Sequence, residues 1–522
     1  MSPVFNLADL FELVVDAGPD RACLVAPPHR RTFGELDERA TRLAHVLQGR
    51  GVGPGDHVAI HAANCVEWPE SMLACFKIRA VPININYRYV ESELREVYGD
   101  AECVAAILQP PFTVPSDLSR LRDVLVIGDE YEAAVASASP VRDFAPRSAD
   151  DRYIVYTGGT TGKPKGVVWR HEDAFFATAS GGRVGGPPIA APEEIRANAT
   201  TPQAVMMTTS PLMHSGAQWM LFVALLCGHV LVVWTNPGFD ADAVVELAAR
   251  ERVNSLAVIG DAMARPLAQA MQKRDLPALF MVGSGGAPLT GAVKAELCTA
   301  RPGVMISDAF GASEIGPACV TSAVAKDLGD AAAPARFSPP AHIAVLDDHL
   351  QPVVPGSGEI GRLARRGHIP LGYWRDEAKT AQTFPTDADG CRWVVPGDFA
   401  TVDADGAVVL LGRGSQCINS GGEKIFPDEV EAALRASPDV YDAAVVGMPD
   451  ERWGERCVAL VQPRPGATID IAHLREHCRT LIAHFKVPKN VYVVPEIQHT
   501  AVGKTDYLWA KDQAGALIVG VS

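Results

Sequence analysis

The sequence predicts an α/β protein with one large N-terminal body and a smaller C-terminal unit, and three observations carry that reading. Helical apolar spacing alternates along the chain with short apolar runs such as HVAIHAA (57–63), CVAAIL (103–108), HVLVVW (229–234) and NSLAVIG (254–260), with no fixed-period repeat. The 522 residues leave room for about three domains at roughly 100–200 residues each. The segment GRGSQCINSGGEKIF (412–426) concentrates turn formers between strand patterns and sets off a terminal unit of ordinary domain size.

Taken in order, the N-terminal stretch MSPVFNLADLFELVVD has no basic region and no small-residue cleavage pattern, so no export is expected. Residues 32–51, TFGELDERATRLAHVLQGRG, open on a capping-box spacing (Thr32, Glu35) and end at Gly51, which predicts an amphipathic packing helix. Gly181 to Thr201 is rich in Gly, Pro, Ala and Thr, breaks the periodicity and is expected to be an exposed, mobile insertion. The most apolar stretch, Met220 to Trp234, contains Gly228 and His229 and is shorter than the roughly 18 residues of a membrane span. It is expected to be a buried helix and strand, and no transmembrane segment is expected.

Charge and cysteine content narrow the function. With 47 basic against 62 acidic residues the formal charge is −15, which argues against a nucleic-acid binder, since that needs a basic surface to displace phosphate counterions. Anionic small ligands answer only to local charge and stay open. The eleven cysteines contain no CxxC pair, so reduced thiols in a cytoplasmic protein are expected and structural zinc is not.

The sharpest local feature is YTGGTTGKPKGVVWRH, Tyr156 to His171. Gly158, Gly159 and Gly162 let backbone approach a ligand, Thr157, Thr160 and Thr161 offer hydroxyls, and Lys163 and Lys165 add positive charge, a set suited to a polyphosphate. The Walker pattern aligned on Gly162-Lys163 fails at Thr157 and Pro164, and a GxGxxG pattern begun at Gly283 fails at Pro288.

Further along stand PLMHSGAQW (211–219), GSGGAPL (283–289), DAFGASEIG (308–316), GEIGRL (358–363), PLGYW (370–374), PGD (396–398), GRGSQCINSGGEKIFPDEVE (412–431), GMPDERWGE (447–455) and TAVGK (500–504). With TGGTTGKPKG before them, these segments resemble, in order and over nearly the whole chain, the adenylate-forming superfamily of acyl-CoA synthetases, peptide-synthetase adenylation domains and luciferases. The resemblance implies a large N-terminal AMP-binding domain (1–412) of α/β subdomains with a β-rich part. A small mobile α+β C-terminal domain (413–522) would follow, hinged near Ser415.

It also implies two half-reactions in one site: a carboxylate and MgATP form an acyl-adenylate and pyrophosphate, and a thiol, usually CoA, then displaces AMP. Charge moves onto pyrophosphate in the first step, so positioning and electrostatic stabilisation carry the catalysis. By resemblance, the loop from Thr157 to Lys165 wraps the β- and γ-phosphates, Ser313 touches phosphate and Glu314 holds Mg²⁺. Asp398 contacts the ribose, and Arg413 makes a second contact, to ribose or phosphate. Gly283, Ser284, Gly285, Gly286 and Ala287, with Asp308, Ala309, Phe310 and Gly311, form the adenine pocket. Lys504 reaches between the carboxylate and the α-phosphate, then leaves as the C-terminal domain rotates and Gly421 and Gly422 line a thiol tunnel. The sequence departs from the family pattern at Gly158, Ser313, Pro396, Ser415 and His499.

His214, Trp219, Gly283 and Phe310 are the expected walls of the acyl pocket, with His214 weighed equally as a satisfied core residue. SPLMHSGAQW carries no Asp to pair with an α-amine, which favours an uncharged acyl tail. No carrier domain follows Ser522, which favours free CoA. By analogy the acid is medium to long, or bulky and polycyclic, and the setting is lipid and fatty-acid metabolism. The alternatives are a stand-alone enzyme that loads an acyl carrier protein and a catalytically silent binder of ATP or acyl-AMP. Sequence does not set the oligomeric state; a homodimer is carried as one option.

Overall fold

A computed structural model describes residues 3–157, 164–287, 289–325, 336–420, 423–450, 454–500 and 503–519. The expected α/β fold is present, built on four sheets. The first has eight strands in the order Gly316–Ala323, Met305–Ala312, Met281–Gly285, Ser255–Val258, Val205–Thr208, Val230–Val233, Ala22–Ala26, His29–Thr32; its pairings are parallel except at the two ends. The second has seven, with a parallel centre of Arg152–Thr157, Val81–Asn84, His57–His61, Ala105–Leu108 and Asp123–Val126.

One core joins these two sheets. Leu24 and Leu231 of the first face it with Ile60, Tyr153, Val155 and Trp169 of the second, and helices Leu7–Ala17, Glu67–Lys77, His171–Thr178 and Ser215–Leu226 contribute to it. Each such large apolar side chain taken from water contributes about 1.5–3 kcal/mol. A third, antiparallel sheet runs from Arg336–Phe337 to Val408–Arg413, and the fourth begins at Ile418–Ser420. The chain crosses between them over the short turn Gly414–Gln416.

Local expectations fare unevenly. Thr32 and Glu35 form the capping box that opens helix Phe33–Gly49, at 3.1 and 2.8 Å. The apolar stretch lies in helix Ser215–Leu226 and strand Val230–Val233 as expected, and among the described residues no helix is long and apolar enough to cross a membrane. Gly181–Thr201 is exposed over residues 184–188, as expected, but Ile189, Ile195 and Asn198 are buried, and Asn198 donates to the carbonyls of Gly182 and Leu226 at 2.8 Å. Gly228 admits this strap, because a Cβ there would stand 2.4 Å from the Asn198 carbonyl oxygen.

Under helix Leu7–Ala17 lies a charged cluster that composition could not reveal. Lys77, fully buried, donates to Glu12 at 2.5 Å and Asp37 at 2.7 Å. Arg147 pairs with Asp9 and Glu12, and Arg142 with Asp16 and Asp37. Burial raises the Glu12 carboxyl, but Lys77 and Arg147 outweigh it and hold the group below its ordinary 4.5. Its contribution to stability is therefore full above that value and fades as pH falls through the lower folded value. Lys77→Met strands two carboxylates, and removing one partner of a buried pair costs about 3–5 kcal/mol. The urea midpoint of the variant should fall accordingly, and an unchanged midpoint would show the cluster to be neutral for stability.

Candidate active site

The parallel strands of the first sheet end at one edge, and the loops that follow them stand where ligands usually bind in such sheets. Strand Val205–Thr208 leads to His214, which stands at the start of helix Ser215–Leu226. Asn84 fixes this loop from the second sheet: its side chain donates to the carbonyls of Met213 (2.6 Å) and Tyr156 (2.8 Å) and accepts from the Tyr156 amide. Asn64 grips the same loop through the Leu212 amide and the Ser210 carbonyl.

His214 is half-buried, with its Nε2 out of reach of solvent and without a hydrogen-bond partner among the described residues. Burial, joined by the positive charges of Arg88 and Lys504, pushes its pKa down to about 4, so the ring is neutral near pH 7. Trp219, one turn along the helix, is also buried with its indole nitrogen unpartnered among the described residues. A Cβ at Gly283 would meet nothing closer than 4.0 Å, so that strand leaves space.

Lys504 comes to this place from the far end of the sequence. Its Cε lies 4.0 Å from where a Cβ on Gly286 would stand, and Gly503 lies over Ile259, with 3.4 Å to its carbonyl oxygen from the corresponding position. The turn is closed by the Thr500 amide on the Lys504 carbonyl (2.7 Å) and the Gly503 amide on the Thr500 carbonyl (2.8 Å). Gly286 and Gly503, with φ of +84° and +73°, take a backbone region that other residues rarely adopt.

Glu314 sits at the tip of the hairpin between Met305–Ala312 and Gly316–Ala323. The Tyr373 hydroxyl donates to its Oε1 at 3.0 Å. Ser313 shares a 2.9 Å hydrogen bond with Ser215, the residue after His214, and its carbonyl accepts from the Trp169 indole at 3.1 Å. Gly311 is required here, since a Cβ would meet the Gly316 carbonyl oxygen at 2.6 Å. Arg365 braces the hairpin from beneath, donating to the carbonyls of Ile315 (2.8 Å) and Pro317 (3.3 Å). Burial lowers its pKa to about 10, which leaves the guanidinium charged at neutral pH.

The phosphate-loop expectation can be placed only at its ends. Thr157 and Lys165 are register partners at the mouth of a hairpin, while Gly158, Gly159, Thr160, Thr161, Gly162 and Lys163 lie outside the described residues. Lys165 pairs with Asp376 and lies 5.7 Å from the Tyr373 ring centre. Tyr373 thus stands between the end of the loop and Glu314.

Of the expected adenine-pocket residues, Gly285 runs close to Ala309, with 3.2 Å from a notional Cβ to its carbonyl oxygen. Ser284 and Asp308 are register partners, but both side chains are engaged within the protein. Ser284 Oγ accepts from the Gly260 amide at 3.0 Å, and Asp308 pairs with Lys294 at 2.7 Å. Burial raises the Asp308 carboxyl although Lys294 opposes it. Phe310 packs against the core of the third sheet, and Ala287 against the helices beside the first. Asp398 is buried at the start of strand Asp398–Val402, opposite Arg413 in register. Gly421 and Gly422 lie outside the described residues.

Sequence reasoning missed Asn84, Arg365, Tyr373 and Asp376 as supports. Tyr373 lies inside the PLGYW segment, which is a usable signal; nothing local marks the others.

The described residues contain no group of three or more His, Cys, Asp or Glu side chains that could cage a metal. A Mg²⁺ held chiefly by substrate phosphates needs only one or two carboxylates, and the half-buried Glu314 meets that need.

The chain matches the model for AMP-binding enzymes over residues 11–374, and the model for the AMP-binding enzyme C-terminal domain over residues 429–504. It is 42% identical to a 3-oxocholest-4-en-26-oate–CoA ligase of Rhodococcus rhodochrous, over 98% of this chain and 96% of that one. It is 41% identical to a medium/long-chain-fatty-acid–CoA/3-oxocholest-4-en-26-oate–CoA ligase of Mycobacterium marinum, over 99% and 98%. The crystal structure of ATP-bound MatB from Rhodopseudomonas palustris superposes with a TM-score of 0.81 at 26% identity, covering 97% and 98% of the two chains. Loops at the strand ends, approached by a lysine from the C-terminal unit, and matches that span both parts of the chain lead to one conclusion: this protein belongs to the family of AMP-binding enzymes.

Proposed function

We propose that the protein is an AMP-forming carboxylic acid:CoA ligase that activates a hydrophobic acid, medium to long or bulky and polycyclic, as its acyl-adenylate. The observation that carries this reading is the convergence of Lys504 on neutral His214 and Gly286. A carboxylate oxygen attacks the α-phosphorus of ATP, the bond to pyrophosphate breaks, and Lys504 neutralises charge where acid and phosphate meet. A neutral His214 and the Trp219 face bound the acid without adding a second charge. Lys165 and Thr157 flank the leaving pyrophosphate.

Bound at Glu314, Mg²⁺ would supply charge neutralisation on the phosphates. The braces from Tyr373, Trp169 and Arg365 keep that hairpin in one place before any ligand arrives. In the second half-reaction the CoA sulfur attacks the acyl carbon and AMP leaves. The relatives' names support a fatty or steroid-like acid, and the open space at Gly283 with apolar Trp219 agrees with a bulky apolar tail. We place the activity in the cytoplasm, in keeping with cysteines that form no disulfide among the described residues.

A panel of aliphatic, aromatic and steroid-side-chain acids, assayed for AMP release with CoA or with an acyl carrier protein, tests the reading. Release with a long or polycyclic acid and CoA is the expected result; release only with the carrier protein would overturn the choice of acceptor. Lys504→Ala should lower acid-dependent ATP–pyrophosphate exchange by about 10²–10³-fold, the scale of losing one preorganised donor to developing charge. Thioester formation from supplied acyl-adenylate should survive, and equal loss of both steps would remove Lys504 from adenylation. Glu314→Gln should raise the Mg²⁺ concentration needed for half-maximal exchange while AMP affinity holds. An unchanged Mg²⁺ requirement would take Glu314 out of the metal site.

A further inference from the structure

His499 lies five residues before Lys504, at the base of the same hairpin, where it bridges to Thr505. Its Nδ1 faces the Ile497 carbonyl at 3.1 Å, and its Nε2 faces Asp442 Oδ2 at 3.2 Å. Both ring nitrogens therefore face oxygen acceptors, which hold the ring from two sides. Asp442 is itself fixed: its Oδ1 accepts from Arg435 at 2.8 Å and from the Ala443 amide at 2.7 Å.

The next residue back reaches across to the N-terminal body. Tyr441 lies under the buried Arg265, whose guanidinium carbon is 4.9 Å from the ring centre, on helix Gly260–Met271. That helix starts beside Ile259, on which Gly503 rests, and its Gly260 amide is held by Ser284. Arg464 adds a second bridge to Glu296 at 3.2 Å. A continuous chain of contacts thus runs from Arg265 through Tyr441, Asp442 and His499 to the hairpin that carries Lys504.

We propose that His499 is a positioning residue for the adenylation step, which by pairing with Asp442 sets the place of Lys504 over Gly286. The proposal rests on the ligase reading and adds a residue to it. His499 touches neither acid nor nucleotide; it acts through the lysine. Lys504 is needed only while charge builds between carboxylate and phosphate, so His499 matters in that half-reaction alone. A simple packing role would affect both.

The test uses the full-length enzyme with an accepted acid, measuring acid-dependent ATP–pyrophosphate exchange beside thioester formation from supplied acyl-adenylate and CoA. His499→Ala should lower exchange about tenfold to a hundredfold, the scale of a misplaced catalytic group, with thioester formation within about twofold of wild type. His499→Arg, a permanent donor able to reach Asp442, should recover most of the exchange. Parallel loss of both half-reactions, unchanged exchange in His499→Ala, or failure of His499→Arg to recover it would each overturn the proposal. A wild-type protein that exchanges pyrophosphate with no acid would instead sink the ligase reading, and this proposal with it.

Discussion

One electrostatic constraint organises the molecule: an acidic protein of formal charge −15 must hold the meeting point of two anions. Its net field opposes them, so cations have to be delivered locally. Lys165 arrives on the second sheet and Lys504 on the C-terminal unit, and in the proposed mechanism Glu314 is the side chain that would meet a metal-bound polyphosphate. The three come from distant parts of the chain. The shared core of the first two sheets fixes their strand ends, and through them the loops of the N-terminal body, with respect to each other.

Delivering a lysine from a separate unit is a different solution from building it into the crevice. A fixed lysine beside neutral His214 would hold positive charge at the acyl carbon through both half-reactions. A lysine on a short hairpin can be withdrawn. The link between the third and fourth sheets is the brief turn Gly414–Gln416, flanked by Gly412 with φ of +119°. A Cβ at Gly412 would stand 3.0 Å from an Asp428 oxygen, so a small residue is favoured beside the link.

What the sequence revealed and what it concealed divide by the range of the interactions involved. The capping box at Thr32 and Glu35 is three residues wide and was legible, as was the helix and strand within Met220 to Trp234. The places of Ser313, Glu314 and Lys504 came through resemblance to motif order, since no local property distinguishes Glu314 from a surface carboxylate. Partners outside the local segment left no trace. Asn198 looks like a loop residue until Gly182 and Leu226 surround it, because turn composition describes an exposed loop and a strap packed on a helix equally well. Asp308 and Ser284 sit in a motif attributed to adenine binding, yet their side chains hold Lys294 and Gly260 in place. A motif position can serve a pocket by its backbone while its side chain serves the scaffold.

The C-terminal unit shows why buried charge is retained where apolar packing would be simpler. Around Arg435 lie Glu431 and Asp442, with Tyr507 donating to Glu431 at 3.0 Å. Burial lifts the Glu431 carboxyl to about 8. Burial also opposes ionisation of Asp442, but Arg435 and His499 overcome it and hold that group near 2. Replacing such a cluster by well-packed apolar residues is often neutral or stabilising, so its presence is weak grounds for a role in stability. Its effect is geometric. Hydrogen-bonded polar groups have directions that apolar side chains lack, and these directions tie helix Pro427–Arg435, strand Val440–Asp450 and the Lys504 hairpin into one body. If the unit turns about Gly414–Gln416, it then carries Lys504 with it as a rigid arm, and the angstrom-scale accuracy that adenylation demands survives each excursion.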